Sequence, residues 1–147
     1  MKTKVIVIGS GVAGLSAASY LAKAGYDVLV LEKNEHIGGR ARKFEHEGFV
    51  FDMGPSWYWM PDVFEKFYND FGKKTADFYE LIRLNPSYQV FWKNKEGIQI
   101  PANMHELENL FEGFEPGSAM KLRQFLKEAA YKYEVGINDL VYKPGLS

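Results

Sequence analysis

With 147 residues, the chain is long enough for one domain or for part of a larger protein. It holds 46% hydrophobic and 25% charged residues and a net charge of −1, which excludes a mainly disordered chain and any overall field toward nucleic acid or anionic lipid. It has no cysteine, so disulfides, thiolate metal sites and thiol nucleophiles are excluded as well.

The first predicted element is a strand at Lys4-Val5-Ile6-Val7-Ile8, a β-branched run of the kind buried on both faces of a parallel sheet. It runs into Gly9-Ser10-Gly11-Val12-Ala13-Gly14, which fits G-x-G-x-x-G, and then into a helix over Leu15 to Ala24 that Gly25 closes. Asp27-Val28-Leu29-Val30-Leu31 is a second buried-type strand and ends at Glu32. Strand, glycine turn, helix, strand and acidic residue in this order form a βαβ unit suited to a dinucleotide. Gly9 permits the tight turn, Gly11 lets backbone approach a pyrophosphate, Gly14 lets helix and strand pack closely, and the helix N-terminus offers free N–H groups. Glu32 is placed to accept hydrogen bonds from both ribose hydroxyls of an adenosine and to repel a 2′-phosphate. The plainer alternative is a glycine-rich turn without a ligand.

Past Glu32 and Lys33 comes a second glycine turn with a cation, Gly38-Gly39-Arg40, followed by Arg42. Paired glycines let backbone pass close to a ligand, and Arg40 offers planar, always-charged donors to a phosphate; a solvated basic loop is the alternative. Lys43 to Asp52 reads as two short strands around Glu47-Gly48, and leads to a third turn at Met53-Gly54-Pro55-Ser56.

Pro61 opens an amphipathic helix with Val63, Phe64, Phe67, Tyr68 and Phe71 at helical spacing, closed by Gly72. Its aromatic stripe reads as core, while Trp57, Tyr58 and Trp59 just before it offer a wall for an apolar substrate. Phe78 to Leu84, Tyr88 to Trp92 and Ile98 to Ile100 read as strands, the last two joined across a turn from Lys93 to Gly97. Asn103 is the predicted cap of a helix carrying Met104, Leu107, Phe111 and Phe114 on one face. Ser118 is the predicted cap of a longer one, whose stripe is Leu122, Phe125, Leu126, Ala129, Tyr133, Ile137 and Leu140. His36, His46 and His105 lack metal-ligand spacing, and Ser16, Ser19 and Ser56 lack the context of a hydrolase nucleophile. No apolar run reaches the roughly 18 to 20 residues of a bilayer span and no signal-peptide pattern is visible, so a cytoplasmic protein is expected.

Together, Gly9-Ser10-Gly11-Val12-Ala13-Gly14, Glu32-Lys33, Gly38-Gly39-Arg40 and Phe51-Asp52-Met53-Gly54-Pro55-Ser56 resemble the FAD-dependent amine oxidase and carotenoid desaturase superfamily. Within it, the stretch from Phe51 to Gly72 and Glu115-Pro116-Gly117-Ser118 before a long helix are similar to the bacterial phytoene desaturases. The resemblance covers essentially the whole chain. It implies an α/β fold: a Rossmann-like FAD/NAD(P)-binding βαβ domain, whose N-terminal part is residues 1–75, and the beginning of an α+β substrate domain over residues 76–147. It implies that the segment Gly9, Ser10, Gly11, Val12, Ala13 and Gly14 binds FAD, with Gly9, Gly11 and Gly14 at the pyrophosphate. Glu32, with Lys33 beside it, would then take the adenosine ribose, and Gly39 and Arg40 the other side of the phosphates, Arg42 being a lesser candidate. Met53, Gly54, Pro55 and Ser56 would lie near the flavin ring.

The activity so implied is the introduction of double bonds into an acyclic polyene of the phytoene type, with hydride passing from an allylic carbon to flavin. No catalytic residue and no metal is assigned. The implied partners are the lipophilic polyene and, through a segment such as Trp57 to Met60, a membrane surface to which a cytoplasmic protein attaches peripherally; nucleic acid is not expected, and a homo-oligomer is left open. Family members are expected to be several times longer, so the chain reads as an N-terminal fragment that binds FAD weakly, if at all, by itself. The alternatives are another carotenoid-branch flavoenzyme, either a hydroxycarotenoid 3,4-desaturase or a carotene isomerase, then an amine or protoporphyrinogen oxidase. A non-catalytic lipid-binding protein of the same fold is the alternative from outside the enzymes.

Overall fold

The structure, a computed structural model, describes residues 1–55, 57–93 and 96–143. The chain divides into two compact units, Met1–Thr75 and Ala76–Ser147.

In the first unit, β1 (Lys4–Ile8), α1 (Val12–Lys23) and β2 (Asp27–Leu31) form the βαβ arrangement expected from the β-branched runs and the alanine-rich segment between them. The two strands pair in parallel from Lys4 opposite Asp27 to Ile8 opposite Leu31. Helix α1 packs against the valine face. A Cβ on Gly14 of α1 would lie 3.6 Å from a methyl of Val7, and Val5, Val7, Val28 and Val30 are half-buried. The opposite face is open: Ile6, Ile8, Leu29 and Leu31 remain 60%, 87%, 55% and 46% exposed. Burial on both faces, as the sequence predicts, is therefore not observed. A two-stranded sheet with one helix has only one covered face, and among the described residues no apolar side chain is fully buried.

A hairpin follows, β3 (Lys43–His46) and β4 (Phe49–Asp52), in antiparallel register. Glu47 and Gly48 make its turn with φ of 49° and 82°, a two-residue connection whose twist matches that of the strands. Phe44 stacks on Phe51 across the pair, with ring centroids 4.9 Å apart. Helix α2 (Pro61–Asp70) starts with proline at its first position, where a missing N–H costs nothing. Its aromatic stripe is used for packing: Phe67 and Phe71 sit 5.8 and 5.2 Å from the ring of Tyr20 on α1. The Tyr20 hydroxyl donates to the Asp70 carboxylate at 2.6 Å, and the Lys23 ammonium donates to the Asp70 carbonyl.

The second unit holds a short antiparallel pair, β5 (Tyr88–Val90) and β6 (Ile98–Ile100), then α3 (Met104–Phe114) and α4 (Ser118–Asn138). The connection between the strands includes residues 94 and 95, which lie outside the described residues. Four expectations are corrected here. Phe78 to Leu84 forms no strand: among the described residues β5 pairs only with β6, and Phe78, Leu81, Ile82 and Leu84 are 51 to 74% exposed. Strand propensity alone does not make a ladder where no second strand lies alongside. The strand from Tyr88 likewise stops at Val90, before Trp92. Leu140 lies beyond α4, in a single turn of 3₁₀ helix over Leu140–Tyr142.

The fourth correction concerns the cap of α4. Asn103 caps α3 as predicted, its carboxamide oxygen accepting from the N–H groups of His105 and Glu106 at 2.9 and 3.2 Å. Ser118 does not cap α4. Gly117 is the cap residue, in the left-handed region at φ 84°, and the orphan N–H groups of Gly117 and Ala119 donate to the carboxylate of Glu112, at 2.7 and 3.0 Å. The buried Ser118 hydroxyl oxygen has no partner. The α3–α4 hairpin is further joined by Arg123, whose guanidinium grips the buried Glu108 carboxylate with two bonds of 2.6 and 2.5 Å. Among the described residues no helix is long and apolar enough to cross a membrane.

The capping pattern predicts opposite outcomes for two residues that look alike in sequence. Asn103→Ala should cost about 1 kcal/mol, the usual loss for an N-cap. Ser118→Ala should be neutral or slightly stabilising, since it removes a hydroxyl with no hydrogen bond. Urea midpoints followed by helical circular dichroism would check both, and an equal loss for the two would refute the assignment.

Candidate functional site

The site is built at the C-terminal end of the two parallel strands. There the chain leaves β1 through Gly9 and Ser10 and enters α1, whose first N–H groups have no partner within the helix. The Gly9 N–H donates to the carbonyl of Leu31 at 2.7 Å, which anchors the turn to the end of β2. Gly14 is required by close approach: a Cβ there would collide with the Gly9 carbonyl oxygen.

The second glycine turn is brought onto the first. The Gly38 N–H donates to the Ser10 carbonyl at 2.9 Å, and Gly11 and Gly38 form a parallel bridge. Gly39 begins a 3₁₀ turn over Gly39–Ala41. It has φ of 60°, and a Cβ there would lie 3.0 Å from the Gly11 Cα, so both conformation and contact disfavour a larger residue. The third turn arrives from β4: the Met53 N–H donates to the Arg42 carbonyl at 2.8 Å, and a Cβ on Gly54 would collide with the Arg40 carbonyl oxygen.

The three turns surround one cleft of about 760 Å³, lined by Gly11, Val12, Ala13, Ser16, Gly38, Arg40, Ala41, Gly54 and Pro55. Of the residues singled out from the sequence, Gly11, Val12, Ala13, Arg40, Gly54 and Pro55 line it directly. Gly9, Gly14 and Gly39 shape the turns that do. Met53 is half-buried behind the third turn, Lys33 lies exposed beyond Glu32, and Ser56 falls outside the described residues. Sequence reasoning missed Ser16 and Ala41. Ser16 follows Val12 and Ala13 at the i+4 and i+3 spacing of one helix face, a periodicity that would have placed it beside them.

Two arginines near the cleft have different tasks. Arg42 donates through its guanidinium to the Gly39 carbonyl at 3.0 Å and so braces the second turn. Among the described residues Arg40 has no acceptor of its own, which leaves its charge at the cleft beside the start of α1. Backbone N–H groups, a helix N-terminus and the Arg40 guanidinium around one cleft are a donor set of the kind that suits a pyrophosphate. At Gly39 and Gly54 the missing Cβ lets the second and third turns pack against backbone of their neighbours, which draws the walls of the cleft together.

Glu32 stands at the end of β2, and its carboxylate is fully engaged. Oε2 accepts from the N–H and hydroxyl of Ser10 at 2.9 and 2.7 Å; Oε1 accepts from the N–H and side-chain amide of Asn34 at 2.9 and 2.7 Å. Ser10, 1% exposed, thus acts through Glu32 and Gly38 rather than by facing the cleft. Hydrogen bonds from the Ser10 hydroxyl, the Ser10 N–H and Asn34 favour the ionised form and lower the Glu32 carboxyl to about 2. Since the folded-state value is the lower one, the contribution of this cluster to stability is complete above an ordinary glutamate's 4.5 and is lost as pH falls through about 2. Ser10→Ala should raise the Glu32 midpoint in a carbon-detected NMR titration, and an unchanged midpoint would show that the hydroxyl does not hold the carboxylate.

The family model for an NAD(P)-binding Rossmann-like domain matches residues 7–71. Over 139 residues, 95% of this chain and 28% of the relative, the chain is 49% identical to a carotenoid 3,4-desaturase of Haloarcula japonica. Over 132 residues, 90% of this chain and 26% of the relative, it is 39% identical to a 4,4'-diapophytoene desaturase (4,4'-diaponeurosporene-forming) of Staphylococcus aureus. Among solved structures, a CLA-producing fatty acid isomerase from P. acnes matches 50% of this chain and 18% of its own at 32% identity, with a TM-score of 0.38. The chain spans about a quarter of the length of the curated relatives it matches, at 28% and 26%.

Proposed function

The chain is a homologue of carotenoid desaturases with a Rossmann-like domain, and on that premise we propose that it is the FAD-binding N-terminal part of a desaturase acting on an acyclic, phytoene-type polyene. The observation that carries the cofactor assignment is the convergence of three glycine turns and the unpaired Arg40 on one cleft. The turns at Gly38-Gly39-Arg40 and Gly54-Pro55 come after the βαβ unit and add a second and a third wall to the pyrophosphate cradle, which supports FAD as the dinucleotide.

In this reading the start of α1 and Arg40 bind the pyrophosphate, Gly11 and Gly39 admit it, and Glu32 takes the adenosine ribose. Gly54 and Pro55 bound the cleft toward the flavin ring. When bound, the flavin supplies the electron acceptor for the desaturation, and the protein's part is to bind, orient and exclude water. The substrate dissolves in lipid, so the protein attaches to a membrane surface from the cytoplasmic side. Trp57, Tyr58, Trp59 and Met60, at 52%, 41%, 68% and 40% exposed, are an apolar patch suited to that contact.

Four expectations follow from this reading. The visible flavin spectrum, recorded with added FAD, should show weak binding by the 147-residue chain and firm binding by a longer protein that includes it. In that longer protein Arg40→Ala should weaken FAD by about tenfold or more, as expected for a lost charge-assisted bond; tight binding insensitive to Arg40 would refute the site. Cells that make phytoene should turn coloured when they express the longer protein, and unchanged phytoene would refute the desaturase reading. The longer protein should co-sediment with liposomes, and a fully soluble fraction at low salt would count against the membrane contact.

A further inference from the structure

An ionised carboxylate has about four lone-pair positions, and at Glu32 the chain itself occupies four with donors from Ser10 and Asn34. The two sides differ in what can move. Ser10 is buried, and its carbonyl is held by the Gly38 N–H as well, so the pair of donors on Oε2 is fixed from within. Asn34 is exposed, and its side-chain amide reaches only Glu32 Oε1, at 2.7 Å. A ribose hydroxyl that donates to Glu32 must displace one of these donors. The amide of Asn34 is the one with solvent to turn into.

We infer that the Asn34 side chain is a displaceable placeholder at the ribose position: it satisfies Glu32 Oε1 in the free protein and turns outward when an adenosine ribose docks, while Ser10 stays bound in both states. The inference rests on the reading of Glu32 as the ribose acceptor. Asn34 is then a positioning residue, acting through Glu32. It keeps the carboxylate oriented and ionised before the ligand arrives, and it competes with the ligand for Oε1. The two roles have opposite effects on affinity. Since the backbone N–H groups of Ser10 and Asn34 and the Ser10 hydroxyl already orient the carboxylate, competition is the larger.

ADP, which carries the ribose and pyrophosphate of the dinucleotide, tests this in the 147-residue chain by NMR. In the wild-type chain, ADP should shift the backbone amides of Gly9 to Gly14 and move the Asn34 side-chain NH₂ resonances to those of a solvated amide. Asn34→Ala should tighten ADP about two- to fivefold, the exchange of a net side-chain hydrogen bond for water. A residue that touches the nucleotide, or merely supports the fold, would give weaker binding on substitution. If ADP shifts the glycine amides but leaves the Asn34 NH₂ unmoved, or if Asn34→Ala weakens ADP, the inference is overturned and the site assignment stands. If ADP perturbs none of these amides, the adenosine reading itself fails and the inference with it.

Discussion

The carboxylate of Glu32 ties together three pieces of chain. It ends β2, takes two donors from Ser10 at the exit of β1, and takes two from Asn34 at the start of the loop that leads to the second glycine turn. Ser10 passes the connection on through its carbonyl to Gly38. This is why Ser10 is the most buried side chain described, in a unit whose apolar residues are only half-covered. A polar residue becomes buried here because every one of its polar groups has a partner, which is the condition under which burial is not penalised.

What Glu32 does for the end of β2, close backbone approach does for the glycine turns. At Gly14 a Cβ would meet the Gly9 carbonyl within the first turn, and at Gly39 and Gly54 it would meet backbone of a neighbouring turn, so glycine at these positions sets both the shape of the first turn and the close approach of the other two. The result is a cleft whose wall is largely peptide. Backbone N–H groups carry no side-chain entropy to lose and no charge to desolvate, so a ligand held by a wall of this kind immobilises few side chains. The two arginines fit that division of labour. Arg42 spends its donors on the Gly39 carbonyl, bracing the wall, and Arg40 keeps its donors for whatever enters.

Signals confined to a few neighbouring residues were legible in the sequence. The β-branched runs at Lys4–Ile8 and Asp27–Leu31, the glycines between them, Pro61 at the start of α2 and Asn103 at the start of α3 all act through local conformation, and all appear where expected. The features that escaped depend on residues far apart in the chain. Ser10 looked like a cofactor ligand because it sits within the glycine motif, yet its partner is Glu32, 22 residues on. Ser118 looked like a cap, but Glu112 in the last turn of α3 presents its carboxylate to the N–H groups of Gly117 and Ala119 at the start of α4. Phe78 to Leu84 has strand composition, and composition cannot say whether an edge is available to pair with it.

The open face of the parallel pair connects stability with ligand affinity. Ile6, Ile8, Leu29 and Leu31 carry the side chains of a doubly covered sheet, and fully burying a side chain of this size is worth about 1.5 to 3 kcal/mol. While they stay exposed, that contribution is missing from the element on which the site hangs, since the Gly9 turn is held by the carbonyl of Leu31 and Glu32 is the next residue. A ligand that binds only the ordered turns must then supply part of the ordering free energy itself, and its apparent affinity falls accordingly. Whatever covers these four residues would strengthen dinucleotide binding without touching the dinucleotide, by making β1 and β2 stable before the ligand arrives.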